Sequence, residues 1–107
     1  MAFQLGATLL DACVLAVLSR EDTYGYVLTQ QVRQIMNISE STLYPVLRRL
    51  QKDECLTTYD QAFQGRNRRY YKITDKGKAT LIQYLNEWKD YKRDVDKVLL
   101  GGMFENE

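Results

Sequence analysis

The chain has 107 residues, 45% hydrophobic and 27% charged, with a formal net charge of +1. That is the profile of one soluble domain with a modest core. It holds no histidine, which removes the commonest general base and transition-metal ligand. No Gly-rich phosphate loop, CxxC pair or nucleophile elbow occurs, so no catalytic site, metal site or cofactor is expected. Cys13 and Cys55 lack metal-ligand spacing and read as reduced thiols of a cytoplasmic protein. The apolar runs fall far short of the ~20 residues that cross a bilayer, and the start of the chain lacks a signal-peptide pattern, so no membrane role is expected. The near-neutral total hides a segregation. Residues 1–32 carry one arginine against three acidic side chains, residues 33–72 eight basic against four acidic, and residues 73–107 six basic against seven acidic. An anionic partner is expected for the middle third alone.

Leu5 to Ser19 predicts a first helix, with Leu9, Leu10, Cys13, Val14, Val17 and Leu18 on one broad apolar face. After the polar Arg20-Glu21-Asp22 break, Thr23 is the expected cap of a second helix. Its apolar stripe is Tyr24, Val27, Leu28, Val32 and Ile35. Gly25 near its start is a poor helix former that would let a neighbouring helix approach closely. Met36-Asn37-Ile38 reads as a turn. The third helix runs to about Asp53, capped by Ser39 or Ser41, with Leu43, Leu47 and Leu50 inward and Arg48, Arg49 and Lys52 directed away from the core.

Pro45, the single proline of the chain, sits inside this helix. It has no backbone N–H and clashes with the carbonyl four residues back. With Ser41 as cap it falls at the edge of the first turn, where a missing donor costs least. With Ser39 as cap it lies in the second turn and should bend the helix slightly.

The period changes at Leu56. Leu56–Tyr59 and Arg69–Thr74 predict two strands, with Tyr71 and Ile73 on one face of the second and Tyr70 and Lys72 on the other. The polar stretch from Asp60 to Arg68, with Gly65, Arg66 and Arg68, reads as a long basic hairpin tip. Thr74 caps a last helix reaching about Leu100, stopped by Gly101-Gly102. Leu81, Tyr84, Trp88, Tyr91, Val95 and Val98 are spaced by alternating threes and fours, a heptad seam. At about 39 Å, this helix is too long for so small a domain to cover alone.

Three helices and then a hairpin is the order of a winged helix-turn-helix, a mainly α (α+β) fold with a long C-terminal dimerisation helix. In that arrangement the third helix enters the DNA major groove N-terminus first. Ser39, Ser41, Thr42 and Tyr44 gather at its start, where free N–H groups and hydroxyls suit phosphates and base edges. Taken alone, such hydroxyls are more often ordinary helix caps, and a pair such as Arg48 and Arg49 is more often a solvated face. A basic tip with Arg66, Arg68 and Arg69 is harder to explain without an anionic partner. Together these features favour DNA.

The runs YGYVLTQQV, SESTLYPVLRRLQKDECL and GRNRRYYKITDKG resemble the PadR family of bacterial transcriptional regulators, over about Leu9 to Leu100. The resemblance implies a homodimeric winged-helix repressor that binds a palindromic operator and is released by a small aromatic or drug-like effector. It implies residues 1–74 as the DNA-binding domain, 75–102 as the dimerisation helix and 103–107 as a disordered tail. Ser39, Ser41, Thr42, Tyr44, Arg48, Arg49, Arg66, Asn67, Arg68 and Arg69 are the expected contacts to double-stranded DNA. Leu9, Leu81, Tyr84, Trp88, Tyr91, Val95 and Val98 are the expected dimer contacts. Trp88 matches the position at which multidrug-binding relatives stack planar ligands, with Tyr84 and Tyr91 beside it; simple dimer packing explains the same stripe. One departure stands out. Glu54 replaces the glycine expected after the third helix, so either it takes a left-handed helix end at a conformational penalty or the helix ends differently. The alternative function is a winged-helix protein-interaction module without DNA binding.

Overall fold

In a computed structural model that describes residues 6–101, the core is built around α1 (Ala7–Arg20). The expected start at Leu5, Gly102 and the tail from residue 103 lie outside the described residues. Leu10, Ala12, Val14, Leu15 and Leu18 are buried on α1. This is wider than one amphipathic stripe, because partners pack on several sides of the helix. Asp11 is buried among them at 5% exposure.

Thr23 does not cap a helix. Thr23–Tyr24 form a two-residue strand, β1, opposite Tyr71 and Tyr70. The backbone of α2 (Gly25–Val32) then starts without a side-chain cap. It also ends earlier than the stripe implied: Ile35 is 72% exposed past the helix end, and Met36 packs against the core instead.

Ser39 is the cap of α3 (Glu40–Lys52), its Oγ accepting from the Thr42 N–H at 3.3 Å. Pro45 therefore lies in the second turn, and α3 continues through it to Lys52. Lacking an N–H, Pro45 leaves the Ser41 carbonyl without its usual donor four residues on, and both residues are exposed. Leu43, Leu47 and Leu50 are buried as expected. The end of α3 is a Schellman motif: the Cys55 N–H donates to the Leu50 carbonyl (2.9 Å) and the Glu54 N–H to the Gln51 carbonyl (3.0 Å). Glu54 takes the left-handed conformation itself, at φ +65°.

The hairpin is more regular than expected. The strands β2 (Leu56–Phe63) and β3 (Arg66–Ile73) pair antiparallel from Leu56↔Ile73 to Phe63↔Arg66, leaving a turn of only Gln64 and Gly65. Both have positive φ, 51° and 78°, as a type I′ turn requires. The sheet order is β1-β3-β2.

Thr74 caps α4 (Asp75–Leu99) as expected, accepting from the Gly77 N–H at 3.0 Å while donating to the Glu54 carbonyl at 2.6 Å. One residue thus joins the end of α3 to the start of α4. Leu81 is only 8% exposed: it belongs to the core of its own chain and leaves the expected dimer seam. Tyr84 also packs against the core, and the molecule measures 63 × 25 × 21 Å. Among the described residues, four helices and a three-stranded antiparallel sheet make an α+β winged helix-turn-helix with a long last helix.

Candidate nucleic-acid interface

The helical period turns Arg48 and Arg49 about 100° apart. Arg48 is exposed beside Tyr44 and Gln51 on the rim of a cleft of about 640 Å³ between α3 and the hairpin. Gln51 was not singled out from the sequence, although it lies three residues after Arg48 and seven after Tyr44, on one face. Arg49 departs from the outward orientation expected of it. Its Nη2 donates to Asp11 Oδ1 at 2.6 Å, and that hydrogen bond is the main cause holding its pKa above the ordinary value.

At the start of α3 the hydroxyls bond one another, Ser39 Oγ lying 2.8 Å from Ser41 Oγ and 3.3 Å from Thr42 Oγ1. Glu40, in the first turn, complements the helix dipole. Its negative charge near that end counts against phosphate there. The Tyr44 hydroxyl donates to Glu40 Oε2 at 3.1 Å; burial first, then this bond, raises its pKa and keeps it a donor. Gly25 lies beneath it, where an added Cβ would stand 2.8 Å from the Tyr44 oxygen. The close approach anticipated for Gly25 is made by this one side chain.

Two-residue periodicity divides the wing. Asn67 and Arg69 share the face of buried Tyr71, and both reach the cleft. Arg69 lies 3.7 Å from Asp60, with both side chains more than half exposed, a contact worth little in water. Arg66 is exposed at the turn. Arg68 also borders the cleft, but its guanidinium is held over its own sheet, 4.4 Å from the Tyr24 ring centroid and 4.1 Å from that of Phe63. Tyr70 packs edge-on to Tyr24 and stacks on Tyr59, each at 5.5 Å. The Tyr59 hydroxyl donates to Asp22 at 2.7 Å, bracing the wing against the α1–β1 connection.

A separate small apolar pocket of about 130 Å³ lies between α1 and α4, where Leu9, Cys13 and Ala16 face Tyr84, Leu85 and Trp88. Tyr91 does not line it; its ring is 6.2 Å from that of Trp88. Burial raises the pKa of Cys13 and of Tyr84. Val98 and Leu99 are 79% and 69% exposed, and Ile82 and Leu85, which the seam omitted, are also exposed. Among the described residues, no helix is long and apolar enough to cross a membrane, and no acidic, Cys or His cluster could hold a metal.

Residues 14–83 match the model of the transcriptional regulator PadR-like family. A transcriptional regulator of Mycobacterium tuberculosis is 35% identical over 82 residues, 76% of this chain and 73% of its own. A Streptococcus mutans protein superposes with a TM-score of 0.86 at 42% identity, over 94% of this chain and 95% of the other. Bacillus subtilis PadR in complex with operator DNA superposes with a TM-score of 0.66 at 24% identity, over 72% of this chain and 46% of that one, a likeness of fold.

Proposed function

The chain belongs to the transcriptional regulator PadR-like family, and on that premise we propose that it is a repressor that binds a palindromic duplex operator as a homodimer. The observation that carries the reading is the α3–wing cleft, with exposed Arg48, Asn67 and Arg69 around it and Arg66 at the wing tip. The operator complex of the Bacillus subtilis relative supports it. Arg48, Tyr44, Ser41 and Thr42 enter the major groove, where hydroxyls and guanidinium groups meet base edges and phosphates. Arg66, Asn67 and Arg69 follow the backbone. Arg49 and Arg68, tied to protein partners, act by holding α3 and the wing in place.

Two chains pair through α4 and the exposed side of α1, setting the recognition helices about 34 Å apart, one turn of duplex. The exposed Val98 and Leu99 support this use of α4, since apolar surface beyond the reach of its own core gains most from a partner. A small planar aromatic effector at Tyr84, Trp88 and Tyr91 relieves repression by favouring one spacing of the two helices over another.

A gel shift with the DNA upstream of the protein's own gene tests the reading. Binding should weaken steeply between 50 and 200 mM salt, by about 10³-fold for six or more neutralised phosphates. No shifted band on any upstream fragment would leave the protein-interaction module as the better account. A flat salt response would refute the charge argument. Quenching of Trp88 fluorescence by phenolic acids or planar cations tests the effector site separately.

A further inference from the structure

Arg49 stands next to Arg48 on the recognition helix, yet it reaches across to α1. Its partner, Asp11, has a side chain only 7% exposed, whereas the arginine's is 47% exposed. A carboxylate held that far from water requires its counter-charge, so the pair fixes where α3 lies against α1. A third element meets the same point: the Tyr84 phenol of α4 feels both the Asp11 and the Arg49 charge. Asp11 is flanked in sequence by Ala12, which lines the α1–α4 pocket with Tyr84 and Trp88. The pair therefore sits where the frame that would carry a second copy meets the helix that would carry DNA contacts.

We infer that Arg49 is a positioning residue, clamping α3 to Asp11 of α1 and so setting the separation of the two recognition helices in the paired molecule. The inference rests on the DNA-binding reading and replaces a direct DNA contact by Arg49.

The two roles give opposite results in one experiment. The wild-type chain first selects a duplex from a randomised library. Asp11→Asn, Arg49→Gln, Arg49→Lys and the Asp11→Asn/Arg49→Gln double variant are then titrated with that duplex at several salt concentrations, below their measured melting temperatures. For a clamp, Asp11→Asn and Arg49→Gln each weaken binding by about tenfold, and the double variant is no worse than the weaker single. The slope of log Kd against log salt stays at the wild-type value, and the preferred half-site spacing broadens. Arg49→Lys recovers part of the affinity.

For a phosphate contact, Asp11→Asn binds as well as wild type or better. Arg49→Gln then loses affinity and lowers the salt slope by about one, and that result overturns the inference. Folded variants with unchanged affinity and spacing overturn it as well. Should Arg49→Gln fail to fold, Asp11→Asn, which leaves no charge buried, decides alone. A wild-type chain that selects no duplex refutes the DNA-binding reading and the clamp with it, whereas a binding wild type with unaffected variants refutes only the clamp.

Discussion

The recognition helix and the wing each place arginines side by side in the chain and then give them different work. On α3, Arg48 is exposed at the cleft while Arg49 is bonded to a buried carboxylate. On β3, Arg66 and Arg69 are exposed while Arg68 lies over two aromatic rings. In the helix a 100° step separates the roles; in the strand alternation turns Arg68 away from Arg69, whereas Arg66, on the same face as Arg68, differs only by its place at the turn. Residue type alone makes all five equivalent; the neighbours each one meets make two of them braces. The braces also differ in kind. The helix uses a charge pair with one buried member, the wing uses cation–π contacts near solvent, and the two respond differently to substitution.

The largest effect should come from Arg49→Gln. It strands the Asp11 carboxylate, and with the arginine itself half exposed the loss should be about 2–3 kcal/mol, below the full value for breaking a buried pair, read from urea unfolding. Asp11→Asn should lose less, because no charge is left buried. Equal losses would mean that the carboxylate is not the costly partner. Next comes Arg68→Ala, which gives up two ring contacts at about 0.5–1 kcal/mol each; a thermal melt indistinguishable from wild type would remove the wing brace.

Glu54→Gly, at the joint between the two regions, should stabilise the chain by about 0.5–1 kcal/mol. Relief of the left-handed conformation exceeds the extra freedom glycine gains when unfolded. Lower stability would mean that the Glu54 side chain contributes more than its backbone loses. Smallest in stability are Arg48→Ala and Arg66→Ala, within about 0.5 kcal/mol of wild type. Each should still lower the salt slope of DNA binding by about one. A large melt shift for either would dissolve the distinction between exposed and bracing arginines.

Long-period patterns made most of the fold readable. The stripe of Leu43, Leu47 and Leu50, the alternation of Tyr70, Tyr71, Lys72 and Ile73, and the Thr74 cap are all properties of one segment and its own geometry. Failures came where a second segment decides. Thr23–Tyr24 is too short for any period, and its strand exists only because β3 lies alongside. The extension of β2 and β3 through polar residues 60–68 depends on cross-strand register rather than on an apolar alternation. Leu81 continues a heptad seam in sequence, but it is buried in the core cluster of its own chain. Ser39 and Ser41 are both good caps, and only the bond to the Thr42 N–H separates them. For the site, the basic middle third and the cleft residues were legible from charge and spacing. The inward turn of Arg49 was not, because Asp11 lies 38 residues away in sequence.

The last helix has a mechanical consequence. Its 25 residues form a stiff rod about 37 Å long, and tipping such a rod by about 5° at one end carries the other through ~3 Å, close to one base-pair step. If two copies are joined along it, a change of packing around Trp88 too slight to disturb either fold would be magnified along its length. The paired reading heads would then slip out of phase with the duplex.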